Sequence, residues 1–414
     1  MNYKSTFFLL MVISTLLSCK KYLEVKTDKT LTVINTAADL QSLLDLYRYV
    51  NYSDPFINQV CSDDYYLTEA RFKALTQQEQ NLYIWANSNL YTPPSNAWSD
   101  TYDNIYRANL VMDNIDKVNF DSTSEIIKYD DLKGQALFLR AKSLFCAVST
   151  WSLAYDSTSA NKDLGVPLRL SSDFNQKTSR ASVQETYDQI INDLLLAVAL
   201  LPEKPLHVLR ASKPAAQALL ARVYISIGDY SKCRLYSDSC LKIKSAILDF
   251  NTLDTNSSVP FPAFNIEVIY ESGAGFSTPL LPTRNRTDSN LVSTFSEHDL
   301  RKKILLKKNI DNSYSFKGGY SLAVGSLFDG IATDEVYLMR AECNARLGYD
   351  QLALDDIKAL LSNRWLTNSY TSPSFGSSQE ILNYILQERR KELILRGLRW
   401  MDIKRLNKRG ANII

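Results

Sequence analysis

Residues 377–406 read SSQEILNYILQERRKELILRGLRWMDIKRL, and this stretch carries the strongest structural signal in the chain. Ser377, with Glu380 three residues later, forms a capping box, which is a common start of a helix. Gly397 stands where a left-handed residue often ends one. Between these signals, apolar side chains recur at helical spacing, namely Leu382, Ile385, Leu386 and Leu393. The stretch therefore predicts a helix that begins at Ser377 and buries one apolar stripe.

Charged residues interrupt this stripe without ending it. Arg389 lies four residues before Leu393, so its side chain points along the buried face. A buried charge that loses its partner costs about 3–5 kcal/mol, and Glu392 lies within reach of both Arg389 and Arg396. We therefore predict a structural ion network formed by Glu388, Arg389, Glu392 and Arg396. The alternatives are a solvated charged face and a pair of catalytic carboxylates at Glu388 and Glu392.

Two runs within this stretch resemble a known protein family. Glu388–Leu393 (ERRKEL) and Arg396–Arg405 (RGLRWMDIKR) are similar to the C-terminal signature of the SusD/RagB family. The resemblance extends to Trp98–Asn109 and to the Arg140-Ala141 pair of a second predicted helix. It implies a surface lipoprotein that binds glycans or other nutrients and passes them to a SusC-like TonB-dependent outer-membrane transporter. Family members often carry Glu-Gly before the Arg-Trp, whereas this chain has Arg396-Gly397, which adds a positive charge.

Residues 1–18 have the pattern of a secretory signal peptide. Lys4 supplies a positive charge near the start, and the apolar run from Phe7 to Leu17 is too short to span a bilayer. The run ends in Leu-Leu-Ser-Cys19, close to a bacterial lipobox, so we expect cleavage before Cys19 and diacylation of this residue. Such lipids would hold the protein stably on a membrane, and the family resemblance implies the cell outer membrane, with the protein exposed at the surface. An ordinary secretory signal that happens to contain a cysteine is the alternative.

Residues 19–414 predict a single, mainly α domain. Helix hairpins are indicated where one helix ends at a glycine and a second begins at once, as at Gly228 and again at Gly348. These hairpins are of the tetratricopeptide type, and the resemblance implies a SusD-like scaffold built from them. The ranges assigned to the scaffold are 30–60, 98–250 and 332–408. Family members normally continue past the C-terminal signature, so the end at Ile414 suggests a short member or a missing C-terminus.

Two loop-rich segments, 61–98 and 250–331, interrupt the scaffold. The second is long and irregular, with a strand candidate at 266–271, and such segments are usually functional when they carry aromatic side chains. We expect the two segments to form one ligand-facing surface with a few short strands. The candidate ligand-binding residues are Asp64, Tyr65, Trp85, Tyr314 and Tyr320. Core packing explains each of these residues equally well when it is considered alone.

Composition narrows the classes of function. The net charge of +2 gives no reason to expect a nucleic-acid partner. The two histidines are far apart in sequence and the six cysteines include no CxxC pair, so no metal site is predicted. The sequence has neither a Gly-rich phosphate loop nor a nucleophile elbow. We accordingly predict no cofactor and no catalytic residue.

Three functional hypotheses remain. The leading one is a non-enzymatic lipoprotein whose loop aromatics stack on the sugar rings of an oligosaccharide, which it delivers to the transporter. The second is a tetratricopeptide-like scaffold lipoprotein that binds a protein or peptide, and it would gather its aromatics in the concave groove of the helices instead. The third is a glycosidase, which needs two carboxylates about 5–10 Å apart across a cleft.

Overall fold

The computed structural model describes residues 34–91, 96–118, 120, 123–275, 277–320 and 327–413. Sixteen α-helices and ten short strands lie within these residues. The helices are α1 (Ala37–Leu44), α2 (Tyr47–Val50), α3 (Ile57–Val60), α4 (Glu69–Lys73), α5 (Gln77–Tyr83), α6 (Ala97–Asn114), α7 (Thr123–Trp151), α8 (Val183–Leu200), α9 (Lys213–Ile227), α10 (Tyr230–Ile243), α11 (Ser289–Ser293), α12 (Arg301–Ile304), α13 (Thr333–Arg346), α14 (Asp350–Leu361), α15 (Ser378–Glu392) and α16 (Arg399–Asn407). The strands are β1 (Tyr65–Tyr66), β2 (Leu164–Pro167), β3 (Arg180–Ser182), β4 (Val268–Tyr270), β5 (Gly273–Ala274), β6 (Arg286–Thr287), β7 (Leu306–Lys308), β8 (Tyr314–Phe316), β9 (Leu327–Phe328) and β10 (Ile331–Ala332).

Packed helix pairs form the scaffold and confirm the mainly α, tetratricopeptide-like prediction. Helices α9 and α10 make one pair, α13 and α14 make another, and α10 packs on α13. Gly228 ends α9 with a φ of +83°, a left-handed conformation that is strained for residues with a side chain. The Asp229 side chain then accepts a hydrogen bond from the amide of Lys232 and caps α10. These local signals explain why the first hairpin was recognisable in the sequence.

Helix α9 lies in the middle of the main hydrophobic core. Its residues 214–226 are all buried, and it contacts α8, α10, α13 and α16. Small side chains such as Ala218 and Ala221 let these neighbours approach closely on several sides. Cys233, Cys240 and Cys343 are buried free thiols of the same core.

The stretch 377–406 is not one helix, which corrects the sequence interpretation. Helix α15 ends at Glu392, a turn follows, and α16 begins at Arg399. The turn buries three consecutive apolar side chains, Leu393, Ile394 and Leu395, which one helical face cannot do. Gly397 is left-handed, with φ +71°, and a Cβ there would lie 2.4 Å from a carboxylate oxygen of Asp329. Gly397 is therefore required by the close approach of Asp329 to the turn. It does not cap the helix, which ends at Glu392.

The two loop segments meet through short antiparallel strands. Strand β1 of the first segment pairs with β6 of the second, with Tyr65 opposite Thr287 and Tyr66 opposite Arg286. The strand predicted at 266–271 is present as β4, fully buried and paired with β10. A second hydrophobic core draws residues from both segments, including Leu82 and Phe316. The segments therefore lie side by side rather than on opposite faces of the scaffold.

A buried ion network fastens the second loop segment to the scaffold. Arg301 of α12, which is fully buried, donates hydrogen bonds to Glu388 at 2.6 Å and to Glu392 at 3.0 Å on α15. Arg364 of the scaffold binds Glu392 at 2.7 Å and Glu267 of the loop segment at 2.8 Å. Each buried carboxylate on α15 is thus compensated by a guanidinium, as burial of charge requires.

The residues predicted to form an ion network all lie in buried ion pairs, but with different partners. Arg389 pairs with Asp402 at 2.8 Å, and Arg396 pairs with Asp334 at 3.0 Å. The sequence had suggested that Glu392 pairs with these two arginines, and that detail is wrong. The turn after Glu392 takes Arg396 off the helix, and the partners of Glu392 come from distant parts of the chain.

We predict that Arg301→Met destabilises the protein by about 3–5 kcal/mol, because Glu388 and Glu392 would lose a buried partner. Urea unfolding followed by circular dichroism measures this change. The control is Lys73→Met, which removes an ion pair with Glu69 in which both side chains are more than two-thirds exposed, so its effect should stay below about 0.5 kcal/mol. Equal effects of the two variants would contradict a structural role for the network.

Candidate functional site

A tryptophan pair, of which Trp85 is exposed and Trp400 is partly buried, lies at the surface of the first loop segment. Trp85 follows α5 and is 52% exposed, and its ring centroid lies 5.2 Å from that of Trp400 on α16. Its φ of +56° is unusual for a bulky residue and costs about 1–3 kcal/mol. The amide of Ala86 donates to the Asn81 carbonyl at 2.8 Å, which holds the turn in place. The local fold thus keeps a large apolar ring at the surface.

A second group of rings lies close to this pair. Trp98 contacts Trp151 and Tyr102 at centroid distances of 4.9 and 4.8 Å, and the Trp151 indole donates to the Tyr91 hydroxyl at 2.5 Å. These rings are partly buried. We call Trp85, Trp98, Trp151 and Trp400 the tryptophan cluster.

Lys404 of α16 connects the two halves of the tryptophan cluster. Its ammonium donates to the carbonyls of Ser149 and Ser152 at 2.7 and 2.5 Å, on either side of Trp151. The same ammonium lies 5.9 Å from the Trp400 ring centroid. Burial lowers the pKa of Lys404 to about 8. Lys404 therefore orients the end of α7 relative to α16 and fixes the spacing of the rings.

The paired acids ahead of β1 are structural, which corrects the assignment of Asp64 as a ligand contact. Asp64 is 1% exposed and accepts hydrogen bonds from Arg390 at 3.4 Å and from the amide of Leu395 at 3.2 Å. Burial raises the pKa of Asp64 to about 6, against the opposing effect of Arg390. Asp63 accepts two hydrogen bonds from Arg399, at 2.5 and 2.7 Å. Both carboxylates join the first loop segment to the end of α15 and the start of α16.

Tyr65 is also an interior residue, and its neighbour Tyr66 is the exposed ring. Tyr65 is 5% exposed and donates its hydroxyl to the Val60 carbonyl at 3.1 Å, whereas Tyr66 is 38% exposed. Successive side chains of a strand point to opposite faces, so one of two adjacent tyrosines must turn inward. No local pattern distinguishes the two tyrosines, and the choice of Tyr65 was wrong for a ligand contact.

Tyr314 and Tyr320, the two ligand-binding candidates in the second loop segment, differ in how far they are buried. Tyr320 is buried, donates its hydroxyl to Glu267 at 2.6 Å and packs against Phe261 and Phe328, so it belongs to the core. Tyr314 on β8 is partly exposed, and the Lys302 ammonium lies 5.9 Å from its ring centroid. Of the five candidates, Trp85 and Tyr314 therefore keep an accessible ring.

Sequence reasoning missed Trp400 and Tyr66 as surface rings. Trp400 lies in the run that resembles the family signature, and its partner Trp85 lies more than 300 residues away in sequence, so their contact leaves no local pattern. Within the described ranges, no group of three His, Cys, Asp or Glu side chains is placed to hold a metal ion.

Comparison with known proteins establishes the family. A family model described as starch-binding and associating with the outer membrane matches residues 21–225, and the SusD family model matches residues 333–412. The chain belongs to the SusD/RagB family. The SusD-like protein P38 of Formosa agariphila is 22% identical to it, over 98% of this chain and 92% of that protein.

Solved structures agree on the fold. A putative sugar-binding protein from Bacteroides vulgatus superposes with a TM-score of 0.75 at 24% identity, over 91% of this chain and 88% of that one. A SusD superfamily protein from Bacteroides thetaiotaomicron gives a TM-score of 0.72 at 22% identity, over 90% and 89% of the two chains. Both share the helical scaffold described above.

The predicted membrane attachment involves the N-terminal segment. Residues 1–18 and Cys19, predicted to be a signal peptide and a lipidation site, lie outside the described residues. Across the part of the chain that is described, no helix combines the length and the apolar character needed to cross a bilayer.

We predict that Tyr65→Ala destabilises the protein by about 3–5 kcal/mol, because it leaves a cavity under β1. Tyr66→Ala, one residue away on the exposed face, should change the free energy of unfolding by less than about 0.5 kcal/mol. Urea unfolding of both variants tests this difference. A larger loss of stability for Tyr66→Ala than for Tyr65→Ala would mean that Tyr66, and not Tyr65, faces the core.

Proposed function

We propose that this protein captures oligosaccharides at the cell surface and delivers them to a SusC-like TonB-dependent outer-membrane transporter. The exposed ring of Trp85, held against Trp400 by a strained turn, is the observation that carries the proposal. Sugar rings have apolar faces that stack on such aromatic surfaces, and indole offers the largest area among the side chains. Membership of a family described as starch-binding supports the same ligand class.

The ligand surface extends from the tryptophan cluster to the junction of the two loop segments. Tyr66 on β1 and Tyr314 on β8 flank β6, which contacts both strands. The accessible rings of this surface lie on a loop and two short strands, namely Trp85, Tyr66 and Tyr314, whereas the other members of the tryptophan cluster are partly buried and lie on helices. A peptide-binding scaffold would instead place its aromatics in the groove of the helices, so this distribution favours a glycan over a peptide.

A binding role rather than catalysis is consistent with the state of the α15 carboxylates. Glu388 and Glu392 are buried and engaged by Arg301 and Arg364, so neither is free to act on a glycosidic bond.

We include in the proposal a single SusD-like domain, residues 19–414, anchored through a lipid on Cys19 after removal of residues 1–18. The second loop segment, 250–331, and the first, 61–98, form its ligand-facing part.

We predict that Trp85→Ala weakens glycan binding by about tenfold, because loss of one stacking surface removes about 1.4 kcal/mol. Affinity electrophoresis against starch, laminarin, xylan, alginate and polygalacturonate measures this change, and thermal unfolding checks the fold. The control is Phe174→Ala, which removes a ring that is 75% exposed and lies outside both loop segments. Equal losses in the two variants, or no retention of the parent protein by any glycan, would refute the proposed site.

A further inference from the structure

Three arginines gather at the junction of the two loop segments. Arg71 of α4 donates from its guanidinium to the backbone carbonyl of Arg284 at 2.9 Å, which brings α4 beside the start of β6. Arg286 follows on β6 itself. Slight burial and the nearby charge of Arg286 lower the pKa of Arg71, and Arg284 contributes in the same direction. We call these three residues the arginine site.

The guanidinium of Arg286 does not use all of its hydrogen-bond donors within the protein. Arg286 is 92% buried, and its Nη1 donates to the Asn285 carbonyl at 3.0 Å and to the Ser315 hydroxyl at 3.1 Å. Its Nη2 reaches Asp311 only at 3.5 Å, and its buried Nε has no hydrogen-bond partner among the described residues. A buried donor without a partner costs about 1–3 kcal/mol, and the long contact at Nη2 leaves room for an acceptor that binds this guanidinium more closely than Asp311 does.

The charges around the arginine site are mostly positive. Asp311 is the carboxylate that faces Arg71 and Arg286, and its side chain is 56% exposed. The other acids near these elements are engaged elsewhere, since Glu69 pairs with Lys73 and Glu297 with Lys302. Exposed lysines extend the positive surface along α12 and β7, namely Lys303, Lys307 and Lys308. A surface of this sign attracts anions within the Debye length of about 8–10 Å.

An exposed aromatic ring completes the arrangement. Tyr66 is directly opposite Arg286 in the β1–β6 pair, and residues opposite each other in an antiparallel pair project from the same face. Sugar-binding sites need a ring to stack on, and acidic sugars need a cationic group for the carboxylate or sulfate beside that ring. Guanidinium groups suit this task because their planar donors match the two oxygens of such a group.

We propose that the arginine site binds the acidic group of an anionic glycan, a uronic acid carboxylate or a sulfate ester, while Tyr66 stacks on the sugar ring. This inference rests on the proposed glycan-binding function and adds the ligand class. The acidic group contacts Arg71 and Arg284 at the surface and takes the place of the Asp311 carboxylate at Nη2 of Arg286, from which Asp311 lies 3.5 Å away.

The test compares anionic and neutral glycans with the mature protein and its variants by isothermal titration calorimetry. Oligogalacturonate represents the carboxylate, oligo-carrageenan represents the sulfate ester, and maltoheptaose and laminarihexaose are the neutral probes. We expect one acidic glycan to bind more tightly than either neutral one. The double variant R71Q/R284Q should lose about tenfold to a hundredfold in affinity for that acidic glycan, with unchanged affinity for neutral glycans.

Two further variants separate a specific site from general charge attraction. Lys73→Gln removes a positive charge from the same helix and should leave the affinity within about twofold. Arg71→Lys keeps the charge but loses the planar donors, and an intermediate loss is expected. Equal losses for Lys73→Gln and R71Q/R284Q would overturn the arginine site. Preference for neutral glycans would overturn it too and leave the proposed function intact, whereas no binding to any of these glycans or to the polysaccharides above would overturn both.

Discussion

The buried pairing of Arg301 and Arg364 with the carboxylates of α15 is the interaction on which the rest of the structure depends. Each charge taken out of water costs several kcal/mol, and the cost is recovered only when every partner is in place. Arg301 lies in the second loop segment, whereas Glu388 and Glu392 lie in the scaffold. The loop segment can therefore dock in one arrangement, because a shifted position would leave buried charges without partners.

This arrangement determines where the surface groups lie. Once the second loop segment is fixed, β6 pairs with β1 and brings the first loop segment alongside. Asp63 and Asp64 then bind arginines at the end of α15 and the start of α16, which places Trp400 against Trp85. The ligand surface thus combines loops, short strands and the ends of helices. Buried ion pairs beneath it set its geometry, so the rings are held in place before a ligand arrives.

The helical scaffold was predictable because its signals are local. Capping residues, a left-handed glycine and helical spacing are read within a few residues of each other, and the hairpin at Gly228 has all three. The ligand surface was predictable only in outline. A strand of two residues is too short for an alternating pattern to show whether Tyr65 or Tyr66 faces the solvent. Nothing in the sequence near Arg301 or Arg364 indicates the distant carboxylate with which each of them pairs. The turn after Glu392 was missed for the same reason, because it depends on contacts such as that between Gly397 and Asp329.

Native-state hydrogen exchange monitored by mass spectrometry tests the central claim most directly. If the ion network makes the second loop segment part of the scaffold, the amides of β4 and β10 should open only with α13 and α15, at the same denaturant concentration and with the same free energy of opening. Exchange of β4 and β10 at a clearly lower free energy, while α13 and α15 stay protected, would show that the segment opens independently and would contradict the account.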